Sequence, residues 1–228
     1  MSGREAGVHR LEPASVADTG AYLARLVRLD PAALVRLRPA GDGTVALWAR
    51  LPFEVLVTRQ VRAGLADDVT VRAADLLRTL DAGADRLPPR CDAQWRWPLP
   101  PAVSRLVERL PATEVHRVGA AAETTLRAAV AGGVRGRAVG ERVLRDALLD
   151  HVPVVVLTDD GTRVEVPQRL VQAVVRMGFA GPPGAGGEVQ VRVAGGWVGL
   201  GGEFGTGWYR SSRGFEVRPV GERSVTPA

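Results

Sequence analysis

The stretch from Val152 to Phe179, VPVVVLTDDGTRVEVPQRLVQAVVRMGF, constrains the fold more than any other part of the chain. Val154, Val155 and Val156 form a β-branched run, which predicts a strand buried on both faces. Asp160-Gly161 suits a backbone with positive φ and predicts a tight hairpin. Val164 and Val166 then alternate with Arg163 and Glu165, the period of a half-buried strand. Pro167 ends that strand and is tolerated in a first helical turn, where its missing N–H costs little. Leu170, Val171, Val174 and Val175 form a one-sided helical stripe, and Gly178 suits the position just past its end. Strand, turn, strand and helix account for every residue, so the stretch reads as a packing unit and not as a site.

The flanking sequence repeats this mixture. Residues 1–18 read as a disordered leader, and Thr19 to Asp30 as a short helix capped by Thr19, with Leu23, Leu26 and Val27 inward. Ala33–Arg38, Thr44–Arg50 and Glu54–Val61 predict an antiparallel meander joined by short turns. Trp48 and Phe53 read as core or sheet-face aromatics. Val69–Val71 predicts another strand, followed by a helix over Ala73–Leu80. This VTVRAADLLRTL matches VEVPQRLVQAVV at 164–175 in hydrophobic pattern, and either an internal repeat or coincidence explains it.

The second part opens with two helices. The first starts at a Thr113 cap and carries Val115, Val118, Ala122, Leu126 and Ala129 at helical spacing; the second covers Glu141–Asp150. Two helices before a hairpin is the order of a winged helix. Arg142 and Arg145, offset by Glu141, Asp146 and Asp150, make a poor recognition helix, which argues against that reading. Val189 to Val193 predicts a strand, Gly195-Gly196 a turn, and Trp197 the start of the return. Phe215–Val217 suits a last strand, and residues 221–228 a flexible tail.

Composition narrows the class. The chain has no Lys, Asn or Ile, so all 30 basic residues are Arg, the imprint of a GC-rich genome. The formal net charge is only +5, with Arg and acidic residues interspersed. No apolar run approaches the roughly 18 residues that span a bilayer. The N-terminus lacks the apolar core of a secretory signal. With one cysteine, Cys91, an internal disulfide and a thiolate metal cluster are both excluded, which fits a reducing cytoplasm.

No motif carries chemistry. The glycines of Gly199–Gly207 miss the spacing of a phosphate-binding loop and precede no helix, so they read as allowing bulges and close sheet packing beside Trp197 and Trp208. His9, His116 and His151 are far apart, and no cofactor or metal is expected. Cys91 has no His near it in sequence, and Asp159-Asp160 is first a turn. Nothing positively supports an enzyme. Residues 88–101 are a Pro-rich connector holding Trp95, Arg96 and Trp97; they either pin the linker to a domain face or form an interaction patch.

The phrases WARLPFEVLVTR, ALLDHVPVVV and VEVPQRLVQAVVRMGF resemble those of an uncharacterised protein family of high-GC actinobacteria. The resemblance covers most of the chain and implies a cytoplasmic α+β protein, with no activity to carry over. In hydrophobic pattern alone, the strand–strand–helix units are similar to those of DNA sliding clamps, though the halves read as too irregular to form clamp domains.

These readings combine into an α+β protein of two small subdomains with antiparallel sheets and packed helices, residues 19–87 and 102–220, joined by the connector. The leading expectation is a non-enzymatic cytoplasmic interaction or regulatory protein, binding a protein partner or a second copy. Its surface is Trp95, Arg96 and Trp97, or Trp197, Phe204, Trp208 and Tyr209 of the glycine-rich hairpin. One alternative is a nucleic-acid binder using Arg36, Arg38, Arg135, Arg137, Arg142 and Arg145, which must then converge on one surface. Another is a small-ligand or enzymatic site between the subdomains.

Overall fold

A computed structural model of the chain describes residues 13–84, 86–132 and 140–210. It is a mixed α+β fold with antiparallel sheets. Helix α1 (Pro13–Leu29) precedes a meander of β1 (Leu34–Gly41), β2 (Thr44–Arg50) and β3 (Leu56–Arg62). Strand β4 (Val69–Arg72) returns to pair with β1 and leads into α2 (Ala73–Asp81). Past the connector come β5 (Arg105–Pro111), α3 (Ala112–Gly132) and α4 (Glu141–Asp150). The hairpin β6 (Val154–Leu157) and β7 (Arg163–Val166) feeds α5 (Gln168–Arg176). A second meander closes the described chain: β8 (Glu188–Ala194), β9 (Trp197–Gly202) and β10 (Gly205–Arg210).

The two meanders share one sheet. Its eight strands run β4-β1-β2-β3-β10-β9-β8-β5, while β6 and β7 form a separate ladder. The order reads alike from both ends: an edge strand, a three-stranded meander, then the junction. A helix precedes each meander, α1 before β1 and α5 before β8. The sheet's periodicity of two sends Val35, Leu37, Val45, Leu47, Val57 and Val61 to the face that the helices cover, and the intervening residues to the other.

The halves meet where β3 pairs with β10, Leu56 opposite Trp208, Val57 opposite Gly207 and Thr58 opposite Thr206. Beneath this seam Tyr22 of α1 stacks on Phe179, which follows α5, with ring centroids 6.4 Å apart. Both rings are 1% exposed. Phe179 fits because two residues above it lack side chains. A Cβ on Gly205 would lie 2.6 Å from its ring, and one on Gly202 would lie 2.1 Å from its carbonyl oxygen.

Two arginines, each only 12% exposed, cross the seam in opposite directions. Arg59 of β3 pairs with Asp18 at 2.7 Å, donates to the Phe204 carbonyl in the other half at 2.9 Å, and covers the Phe204 ring. Arg169 of α5 donates to the Phe53 carbonyl and to Glu54, both at 3.2 Å, pairs with Asp150, and lies 5.0 Å over Tyr209.

Several expectations are corrected. Helix α1 starts at Pro13 and takes in residues assigned to the leader; Thr19 is no cap but lies inside it, its hydroxyl donating to the Ser15 carbonyl at 2.7 Å. Thr113 likewise lies within α3. Strand β6 is not buried on both faces: Val156 is buried, while Val155 and Leu157 are 43% and 69% exposed, because a two-stranded ladder turns only one face to the core. Strand β5 escapes sequence reading because it is an exposed edge whose register shifts between Leu106 and Glu108, which breaks the alternation. The matched units β4–α2 and β7–α5 are not equivalent in place, since β4 lies in the large sheet and β7 does not. The segment Phe215–Val217 and the tail lie outside the described residues.

Two glycines offer a contrast. Gly20, inside α1, has nothing within 4 Å of a Cβ, whereas a Cβ on Gly199 would lie 2.6 Å from the Trp208 ring. Gly20→Ala is expected to stabilise the protein by about 0.5–1 kcal/mol and Gly199→Ala to destabilise it by roughly 1–3 kcal/mol, read by denaturant unfolding. Arg169→Met is expected to cost about 2 kcal/mol in the same assay, because Phe53 and Asp150 lose a charged donor. An unchanged midpoint for Arg169→Met would contradict a structural role at the seam.

Candidate functional site

The face of the sheet away from the helices is the chain's most distinctive surface. Strand alternation that turns valines and leucines to the helices turns Arg36, Trp48, Arg50, Leu56 and Trp208 outward. All five tryptophans of the chain gather on this side: Trp197 and Trp208 are buried with Leu56 and Ala194, and Trp48, Trp95 and Trp97 pack half-buried against them. The cluster straddles the seam.

The Pro-rich connector is a strap across this face. Its start is fixed to β4, where Cys91 N–H donates to the Thr70 carbonyl at 2.8 Å and the Asp92 carboxylate accepts from Thr70 N–H at 2.6 Å. Burial works against the Asp92 carboxylate, but the Thr70 and Arg90 hydrogen bonds outweigh it, and its carboxyl stays below the usual range. Burial pushes the neighbouring Cys91 thiol up. Trp95 and Trp97 meet edge to face at 5.1 Å, and the Trp95 indole N–H donates to the Trp97 carbonyl at 2.7 Å. The Arg36 guanidinium lies 5.9 Å over Trp95, and that of Arg50 lies 5.4 Å over Trp97. At the far end Arg192 donates to the Ser104 hydroxyl at 2.9 Å. Beyond one 3-10 turn over Asp92–Gln94, these contacts hold the Pro-rich strap in place.

The structure divides the expected interaction residues. Trp95, Trp97, Trp197 and Trp208 share the outer face, with Arg96 exposed on the strap. Phe204 and Tyr209 instead pack against the main core on the helix side, under Arg59 and Arg169. The hairpin glycines that invited a phosphate-loop reading serve close packing: Gly199 makes room for Trp208, and Gly202 and Gly205 for Phe179. Trp48, which reads from sequence as a core or sheet-face aromatic, and Arg50 also belong to the outer face, through the outward register of β2.

The nucleic-acid set does not converge. Arg36 and Arg38 lie on the outer face and share Asp68, at 2.7 and 3.8 Å. The hydrogen bond to Asp68 holds the Arg36 guanidinium above its ordinary pKa. Arg142 and Arg145 lie on α4, which packs against α3 and α5 on the helix side. Arg135 and Arg137 lie outside the described residues. Where the halves meet, an open concavity of about 270 Å³ is lined by Thr58, Arg59, Gln60, Glu203, Phe204 and Thr206. Arg59 there is already engaged by Asp18 and Phe204.

Among the described residues no group of three or more His, Cys, Asp or Glu is placed to hold a metal ion. His116 bonds the Gly181 carbonyl at 3.1 Å. No helix among them is long and apolar enough to cross a membrane.

The fold is that of sliding clamps. The chain is similar to the DNA polymerase III beta subunit of Thermotoga maritima, with 12% identity and a TM-score of 0.52 over 89% of this chain and 63% of that one. It is similar to the sliding clamp of Bartonella birtlesii bound to griselimycin, with 13% identity and a TM-score of 0.52 over 91% and 65%. The Pseudomonas aeruginosa sliding clamp with ligand gives 11% and 0.52 over 91% and 65%. The chain thus spans less than two thirds of the length of these clamps. The halves that read as too irregular for clamp domains do form this fold, because β3 pairs with β10 and joins the two meanders into one eight-stranded sheet. No curated protein matches. Residues 4–98 match one domain of unknown function, DUF8010, and residues 99–214 match another, DUF8185. Since the second match spans more than half of its length, the chain belongs to the uncharacterised family defined by the domain of unknown function DUF8185.

Proposed function

We propose that this chain is a non-enzymatic interaction module of the cytoplasm, in which the strap and the outer sheet face form the contact surface for a protein partner. One observation carries the reading: all five tryptophans collect on one face of a rigid sheet, and three of them, Trp48, Trp95 and Trp97, stay half-exposed there beside exposed Arg96. Trp and Arg on a preorganised support are the usual anchors of a protein interface. The likeness to sliding clamps supports an interaction fold. The absence of Lys, Asn and Ile supports an origin in a high-GC actinobacterium. A nucleic-acid partner bound through the six arginines named above has less support, since the described ones are split between two faces. A ligand site at the seam has less support because Arg59 is consumed by structural bonds.

Tagged protein is expected to capture a partner from the cytoplasm of its native cell, and Arg96→Ala and Trp97→Ala are expected to weaken that capture. Because Arg96 is exposed, its replacement leaves the fold intact. Undiminished capture by both variants would contradict the assignment of this face.

A further inference from the structure

The two ends of the eight-stranded sheet differ. At β4 the strap occupies the edge: the Asp92 carboxylate accepts from the Thr70 N–H at 2.6 Å, and the Thr70 carbonyl accepts from the Cys91 N–H at 2.8 Å. At the other end β5 pairs with β8 alone, and its Arg105, Leu106, Glu108 and Arg109 are exposed. A seven-residue strand with one side open presents a row of unpaired backbone N–H and C=O groups.

Apolar surface gathers at the same place. Six large apolar side chains stay exposed among the described residues, and four of them lie here. Val103, 85% exposed, comes just before β5, and Leu106 lies on it. Val155 and Leu157 belong to β6, which packs beside β5 and has an open edge of its own.

Charges and bulges usually keep an edge strand from pairing. On β5 they select a neighbour instead. Arg105 stands opposite Val193 and Glu108 opposite Val191, so the bulge between Leu106 and Glu108 brings both charges to the helix-side face. Among the described residues neither is in a salt bridge. Glu108 accepts the Arg109 N–H at 2.8 Å, and Arg105 acts on Asp160 only through its field. Two copies related by a two-fold axis normal to the sheet pair antiparallel, and the residue at the axis faces itself. With Arg105 or Arg109 at the axis, arginine meets arginine. With the bulge there, Arg105 meets Leu110 and Leu106 meets Arg109. With Leu106 there, Leu106 meets its own copy, and each Arg105 meets Glu108 of the partner subunit. In that register Ser104 also meets Arg109, Val103 meets Leu110, and Pro111 falls outside the paired stretch.

We infer that the open edge receives β5 of a second copy of this chain, antiparallel and centred on Leu106, so that two eight-stranded sheets continue into each other. The strap on the β4 edge leaves a closed two-fold dimer and not a head-to-tail series. Because the axis is normal to the sheet, both tryptophan faces look the same way, and the dimer offers that surface twice.

The test is sedimentation equilibrium of the full chain at micromolar concentrations, where a dimer is expected. Arg105→Glu or Glu108→Arg alone sets like charges opposite each other twice, and each is expected to weaken the dimer about ten-fold or more. The two combined are expected to restore it. In a Cys91→Ser background, Leu106→Cys is expected to form a disulfide-linked dimer under a mild oxidant, because residues at the axis stand within disulfide reach. Far-UV circular dichroism reports whether each variant folds. A chain that stays monomeric overturns the inference, and so does a dimer indifferent to both single reversals. A reversal that the double variant does not restore, or a dimer whose Leu106→Cys form does not cross-link, overturns the register. Assemblies larger than a dimer overturn the closed two-fold arrangement.

Discussion

Three residue pairs between β3 and β10 convert two small sheets into one, and most other features follow from that seam. A meander of three strands with one helix buries little on its own. Joined edge to edge, the two meanders share a helix-side core in which Tyr22 and Phe179 stack across the boundary. On the helix side the seam is lined by glycines of β10: a Cβ on Gly207 would be 3.0 Å from Leu170, and Gly205 lies against the Phe179 ring. Arg59 and Arg169 then tie each half to backbone carbonyls of the other. Their hydrogen bonds act at short range and fix register, while the apolar burial supplies most of the stabilisation.

The same seam creates the outer face. Neither half alone has the tryptophan cluster, because Trp48 and Leu56 come from the first, Trp197 and Trp208 from the second, and Trp95 and Trp97 from the strap between them. The strap crosses from the β4 edge to the β5 edge and covers apolar surface that would otherwise lie bare. Its arginine partners come from the sheet below, so surface chemistry and scaffold are not separable here. A residue such as Arg50 serves at once as a lid on Trp97 and as a partner of Glu54, whose φ of 69° places it in the tight turn before β3.

Much of the fold was legible in sequence because local rules sufficed. The strand Thr44–Arg50 and the helix Glu141–Asp150 agree with expectation, since alternation and helical spacing are strong there. Strand β5 was not legible, as an exposed edge with a register shift obeys no period. The pairing of β3 with β10 was also hidden, because nothing local in either strand names so distant a partner. For the outer face, Trp95 and Trp97 stood out by type, but their company did not. Alternation set Trp48 on the face opposite Val45, Leu47 and Ala49; only the seam brings that face together with Trp208. Tyr209 and Phe204 were grouped with Trp208 by sequence proximity, and the strand period separates them.

The claim that the seam unites the protein is tested most directly by native-state hydrogen exchange on the full chain. If the two halves form one cooperative unit, the amides of β3 and β10 exchange as slowly as those of β2 and β9, all with the free energy of global unfolding. Seam amides that exchange through a separate, lower-energy opening, while both meanders stay protected, would contradict it.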